Sequence, residues 1–318
     1  MPSSAVAVLY GPTASGKSDL AVALAERLDG VVINADSLQV YAELKILTAR
    51  PDSDALARAP HRLFGVLPAA EAGSAARWRD AALAEIAAAH AGGQYPILVG
   101  GTGLYLKILM EGLSPVPTSD PQARAQATAL YEKIGGGAFR ATLAERDPVI
   151  AARLEPGDRQ RLIRAWEVVE ATGTPLSDWQ ALPKDSGHCL AFNLIGLMPP
   201  RDALYERIDR RFEAMLDQGA LDEARRFDAL GLSSALPANK ALGLPELRRH
   251  LKGEIDLAEA TRLARQASRN YAKRQTTWFR HQLPTDKKSP GTHVRHVSFG
   301  ELSERNLPGI MPFILPTG

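Results

Sequence analysis

Cysteine is almost missing: the 318 residues include one, Cys189. That excludes a disulfide framework and a cysteine metal cluster, and it marks Cys189 as a small packing residue. Long apolar runs are missing too. AVAVLY and GVVINA fall well short of the roughly 20 residues that a membrane span requires, and no basic segment precedes the first run as a secretory signal demands. These absences predict a cytoplasmic protein with no membrane association, and we expect a monomer. There are no internal repeats. Net charge is small, formally +2, so any statement about partners must come from how the charge is distributed. What the chain does have is 45% hydrophobic residues, enough for one large or two modest domains with a real core.

AVAVLY, GVVINA and YPILVGG are short apolar runs bounded by Gly, Pro or turn residues, and helical stretches lie between them. That alternation predicts an α/β fold built on a parallel sheet. After EGLSPVPTSDP the texture changes to helical periodicity with a GGG break and no convincing strand up to about Pro183. LAFNLIGLM then restores a strand. The predicted organisation is a core over 1–119, an inserted all-helical domain over 120–188, the core continued over 189–282, and an irregular or loosely docked tail over 283–318.

GPTASGKS, between the first strand and a helix, completes the G-x-x-x-x-G-K-S phosphate loop with Gly11, Gly16, Lys17 and Ser18. Its backbone N–H groups turn towards phosphate oxygens, the helix N-terminus adds its dipole, Lys17 supplies a point charge and Ser18 is a candidate Mg²⁺ ligand. The loop does not name its substrate, because a diphosphate leaving group and a nucleoside triphosphate satisfy it equally well. Asp36 and Ser37 follow the second strand at its C-terminal edge, where open α/β sheets bind ligands. In a kinase such an aspartate organises Mg²⁺.

Arg211 stands out locally. On a helical wheel Ile208, Met215 and Phe212 fall on the same side as Leu204, and Arg211 falls beside Leu204 and next to Met215. It points with the apolar face, whereas Arg207 and Arg210 point away. An arginine so placed must meet an anion, either a ligand or a buried carboxylate. Between Thr261 and Arg280 the chain carries Arg262, Arg265, Arg269, Lys273, Arg274 and Arg280 and no acid. Arg262, Arg265, Arg269, Lys273 and Arg280 fall within an arc of about 80° at helical spacing, which makes a stripe suited to a polyanion or to solvent. Trp278 and Phe279 suit either base stacking or core packing.

The ordered set VVINADSLQVY, PHRL, LVGGTGLYLKILMEGL, DRQRLIRAWEV and KRQTTWFR, together with the phosphate loop, resembles the tRNA dimethylallyltransferases. The resemblance runs from about Ala5 to Arg280. It implies a P-loop core with an inserted helical domain, dimethylallyl diphosphate as donor, Mg²⁺ as cofactor, and as acceptor the exocyclic amine of the adenosine 3′ of the tRNA anticodon. The phosphate in the loop would then belong to a departing diphosphate held by Gly11, Pro12, Thr13, Ala14, Ser15, Gly16, Lys17 and Ser18.

The same resemblance implies that Thr102 faces the bridging oxygen, although a cap of the following helix is the alternative. It implies that Arg211 grips the diphosphate and that Asp36 takes the amine proton from an adenine flipped out of its stack. It assigns tRNA contacts to Asp36, Ser37, Leu38, Gln39, Arg124, Gln160, Arg161, Leu162, Ile163, Arg164, Lys273, Arg274, Gln275 and Arg280.

Two stretches depart from the family pattern. KILTARP puts Lys45 and Leu47 where an acid and a glycine are usual, and leucine obstructs backbone approaches that glycine permits. NKALGLPEL keeps Gly243 and Glu246 but lacks the aromatic and basic residues, which predicts a weaker RNA contact. Three other functions use the same loop: an adenylate isopentenyltransferase acting on free nucleotide, a small-molecule kinase, and an RNA-binding module with an inert loop. The helical insertion, QRLIR and the basic stripe argue against the first.

Overall fold

The computed structural model describes residues 4–118, 120–184, 187–283, 293–300 and 307–314. The chain divides into two units, one of Met1–Met110 with His188–Gly318 and one of Glu111–Gly187.

The larger unit is a six-stranded parallel sheet made of β1 (Ala5–Tyr10), β2 (Gly30–Asn34), β3 (His61–Arg62), β4 (Tyr95–Gly100), β5 (Ala191–Leu197) and β6 (His293–Phe299). Their order is β3-β2-β4-β1-β5-β6. β1, β2 and β4 are buried at every position, as strands covered on both faces must be, so they read as continuous apolar runs. Alternate residues serve opposite faces: Val6, Val8, Val31, Ile33 and Leu98 join one core, and Ala7, Leu9, Val32, Ile97 and Val99 the other. The chain leaves β1 for β2 on one side, and after β4 it returns to β5 on the other. The crevice at this reversal lies at the C-terminal ends of β1 and β4.

The smaller unit is helical. Its first helical segment, Pro121–Ala144, is broken at Gly135, which takes φ 75° and ψ 163° inside GGG. Helices Pro148–Arg153, Arg159–Thr172 and Leu176–Ala181 follow. Phe139, Leu143, Leu162, Ile163 and Val168 close their own core. Asp147, fully buried, caps one helix by accepting from the Ile150 N–H and reaches the Ser177 N–H with its other oxygen.

Three expectations change, and one strand is additional to those expected. The unit boundary falls at Glu111, not at residue 120, because Val116 packs on the helical core and the Pro117 carbonyl accepts from Arg164. Cys189 is exposed, not packed. The two-residue strand β3 is too short to show a period in sequence. The tail is not irregular where it is described. β6 pairs with β5 along its whole length, and the helix Leu307–Ile314 buries Leu307, Ile310 and Ile314 against the sheet despite its internal Pro312. An apolar face covering a sheet outweighs poor helix propensity. Residues 284–292, 301–306 and 315–318 of that tail lie outside the described residues. Among the described helices none is long and apolar enough to cross a membrane.

Candidate active site

The phosphate loop links β1 to the helix Lys17–Leu28. Gly11 is required by space: a Cβ there would lie 2.4 Å from the Leu197 carbonyl oxygen of β5. Gly16, at φ 90°, turns the chain into the helix, and no side chain caps that helix start. Its first N–H groups are therefore left for an external anion. Ala14 also takes a left-handed backbone, φ 62°. Ser15 is 2% exposed, and its hydroxyl has no hydrogen-bond partner. A buried polar group without a partner is costly, and an oxyanion in the loop would satisfy it.

Lys17 donates to the Pro12 carbonyl at 3.2 Å. Burial pulls its pKa from 10.5 to about 8; the charge of Asp36 opposes that shift and Arg211 adds to it. Arg211, from the helix Arg201–Asp217, arrives on the apolar face as its periodicity predicts and donates to the Thr13 hydroxyl. Its pKa is lowered by burial, again opposed by Asp36. Among the described residues no carboxylate pairs with it within ion-pair distance, so a structural ion pair does not explain it. Two cations thus converge on the loop without full compensation. Lys17, Ser18, Gln39, Arg50, Phe64 and Arg211 are among the residues lining a cleft of about 530 Å³ here.

Asp36 and Thr102 are not in the wall of that cleft. Asp36 follows β2, and its N–H donates to Asn34 Oδ1 at 2.8 Å. One carboxylate oxygen accepts from the Leu38 N–H at 2.9 Å, which closes a turn and fixes the carboxylate's direction. Thr102, after β4, uses its hydroxyl on the Ser37 N–H at 2.9 Å and the Ser37 hydroxyl at 3.2 Å. The hydroxyl therefore ties the β4 loop to the β2 loop instead of capping the helix Gly103–Glu111. Gln39 donates to the Thr48 and Ala49 carbonyls at 2.9 and 2.8 Å.

The departure at Lys45–Leu47 is absorbed by Glu223. This carboxylate, 4% exposed, accepts from the N–H groups of Lys45, Ile46 and Leu47 at 2.7–2.8 Å. Leu47 turns into the core beside Phe212 and Gly243. No feature of the single sequence marks Glu223 for that task. At the second departure Asn239 is itself engaged, accepting from Arg248.

The long helix Leu257–Gln282 carries the basic stripe, and the structure adds three points there. Acids absent from the segment itself come from elsewhere: Arg262 pairs with Glu259, Arg265 with Glu213 and Arg269 with Asp209. Lys273, Arg274 and Arg280 are exposed, and no carboxylate pairs with them among the described residues. Phe279 is buried, while Trp278 packs over Gly103, where a Cβ would meet its ring at 2.1 Å. Gln275, given to tRNA by the resemblance, has its side chain turned inward. It is 5% exposed, accepts from the Thr13 N–H at 2.8 Å and donates to the Gly101 carbonyl at 2.9 Å.

In the helical unit QRLIR divides. Gln160 and Arg161 are exposed, but Leu162 and Ile163 are core residues and offer no side chain to RNA. Arg164 pairs with the fully buried Glu167, as does Arg124 at 3.2 Å, and Glu167 also accepts from the Asp120 N–H. Buried Glu167 brings its two arginine partners together, so Arg124 and Arg164 are partly committed inside the unit.

No group of three His, Cys, Asp or Glu suited to a metal exists among the described residues. Ser18, at the first turn of the loop helix, is exposed and offers a hydroxyl. A donor set of one hydroxyl, diphosphate oxygens and water fits Mg²⁺, which keeps waters and binds with substrate phosphates.

The geometry can be set beside known proteins. Residues 39–282 match the family described as IPP transferase. The chain is 54% identical over 294 residues to a tRNA dimethylallyltransferase of Rhodospirillum centenum, covering 91% of this chain and 93% of that one. It is 48% identical over 307 residues to one of Granulibacter bethesdensis, 96% of each chain. Among solved structures, the full-length tRNA isopentenylpyrophosphate transferase of Bacillus halodurans aligns with TM-score 0.65 and 31% identity over 98% of this chain and 95% of that one. A eukaryotic dimethylallyltransferase acting on tRNA aligns with TM-score 0.74 and 26% identity over 87% of this chain and 70% of that one.

Proposed function

The chain belongs to the tRNA dimethylallyltransferase family, and from that premise we propose how its residues divide the work. The donor is dimethylallyl diphosphate and the acceptor is the exocyclic amine of the adenosine 3′ of the anticodon in tRNA. The nitrogen lone pair forms a bond to the allylic carbon, the carbon–oxygen bond breaks, and diphosphate leaves with the electron pair. The amine proton passes to Asp36.

One observation carries this reading. Lys17 and Arg211 converge on the phosphate loop, and both feel the Asp36 carboxylate. Negative charge that develops on a departing diphosphate meets two cations with no carboxylate of their own in contact, and preorganised charge of that kind is the largest single source of rate in many enzymes. Thr13 positions Arg211, and Ser15 gives the loop an unused donor. Mg²⁺, held through Ser18, supplies further neutralisation of the diphosphate when bound. Asp36, held by Leu38, keeps one oxygen for the amine. An exocyclic amine is a poor nucleophile because its lone pair is delocalised, so accepting its proton as the bond forms is worth on the order of 10²–10⁴ in rate.

Labelled dimethylallyl diphosphate and unmodified tRNA, followed by nucleoside analysis, test the reaction. Prenylated adenosine in tRNA is the expected product. Free AMP prenylated at a comparable rate would instead make this a nucleotide transferase. Asp36→Asn keeps the shape and tests the base: binding of tRNA and diphosphate persists while the single-turnover rate falls. Restoration of the rate by extra Mg²⁺ would move Asp36 to metal organisation.

A further inference from the structure

The long helix Leu257–Gln282 has two faces with different work. Opposite its basic stripe, Tyr271, Gln275 and Trp278 follow at i, i+4 and i+7, the spacing of one helix side. That side enters the crevice between the loop after β1 and the loop after β4. Gln275 touches both. Its amide oxygen accepts from Thr13, in the phosphate loop, and its amide nitrogen donates to the Gly101 carbonyl, next to Thr102. The fit is close: a Cβ on Gly101 would lie 2.2 Å from the Gln275 nitrogen. Burial raises the Tyr271 pKa, and the nearby Thr102 and Gln275 side chains oppose that rise. Thr13 in turn holds Arg211, and Thr102 holds Ser37, the neighbour of Asp36.

We propose that Gln275 is a positioning residue for the transfer, setting the distance between the loop that holds the donor diphosphate and the loops that present Asp36 to the acceptor. The chemistry of an amide suits this place. One loop presents an N–H and the other a carbonyl, so the bridging side chain must accept at one end and donate at the other, which glutamine does in a single planar group. A carboxylate can only accept and meets the Gly101 carbonyl with a lone pair. The bridge stands on the helix whose outer face carries Lys273 and Arg274, so a shift of that helix reaches both loops through one side chain. A misplacement of about 1 Å between reacting groups costs on the order of 10²-fold in rate.

This inference rests on the prenyl-transfer reading. Its test compares wild type, Gln275→Glu and Gln275→Met with saturating tRNA and dimethylallyl diphosphate, measuring the single-turnover rate, the two dissociation constants, the salt dependence of tRNA binding and the unfolding midpoint. The expected result is a rate at saturation lowered about 10- to 100-fold in both variants, with tRNA affinity and its salt dependence unchanged. Gln275→Glu retains the bond to Thr13 but sets a lone pair against the Gly101 carbonyl, so its midpoint falls; rates read well below the midpoint of each variant, where all are folded, separate loss of rate from loss of fold. Three results overturn the proposal: a weakened tRNA affinity at an unchanged saturating rate, which makes Gln275 an RNA contact; a rate equal to wild type in both variants; or a rate loss that tracks only a lowered midpoint. If wild type itself fails to prenylate tRNA, the reaction assignment falls, a result separate from variants that match an active wild type.

Discussion

Replacing Lys17 by methionine should make the ligand-free protein more stable while ending its response to diphosphate. The drop of the Lys17 pKa from 10.5 to about 8 corresponds to about 3 kcal/mol of penalty on its charged form, an upper figure because the ammonium keeps some solvent contact. The folded pKa lies below the unfolded one. Below pH 8 lysine is charged in both states, and the fold bears the full penalty. Between 8 and 10.5 the unfolded chain holds more protons, so stability rises with pH, and the penalty falls to about 1 kcal/mol at pH 10. Methionine also loses the bond to the Pro12 carbonyl, about 1 kcal/mol. The net gain for Lys17→Met is therefore about 2 kcal/mol at pH 7 and near zero at pH 10. Urea unfolding at the two pH values reads it directly. Added pyrophosphate should raise the wild-type stability through binding to the native state alone and leave the variant unmoved. A variant less stable than wild type at pH 7, or a difference equal at both pH values, would refute the claim that an uncompensated charge is held ready for an anion.

Three further outcomes follow from particular contacts. Lys273→Ala should lower the salt slope of tRNA binding by roughly one, whereas Arg262→Ala should lower it less because Glu259 already neutralises that arginine; filter binding over a salt series compares them. Glu223→Gln puts an amide donor against a loop of three N–H groups and should cost about 1–3 kcal/mol in urea unfolding; an unchanged midpoint would show that the Lys45–Leu47 loop holds its path without the carboxylate. Ile310→Ala should cost about 2–5 kcal/mol, since Ile310 is fully buried against the sheet; a loss within error of zero would return the tail to a loosely docked one.

What one sequence determined here is what local pattern encodes. β1, β2, β4 and β5 were legible because strands covered on both faces must be apolar throughout. The phosphate loop was legible because glycine, lysine and serine at fixed offsets between a strand and a helix have one physical use, and the inward aim of Arg211 followed from helical period alone. Periodicity describes an element's faces without saying what stands opposite them, and the tertiary structure decided that. Glu213 and Asp209 lie more than fifty residues from the arginines they neutralise, so a stripe without acids of its own became mostly paired. Glu223 reached a loop some 176 residues away, and β6 became a strand because β5 offered it an unpaired edge. Gln275 shows the division most clearly: its place on the side opposite the stripe was readable, but the two loops that it bridges meet only because the sheet order puts β1 beside β4. Hydrogen-bond partners are chosen by proximity, and proximity between distant segments belongs to the fold.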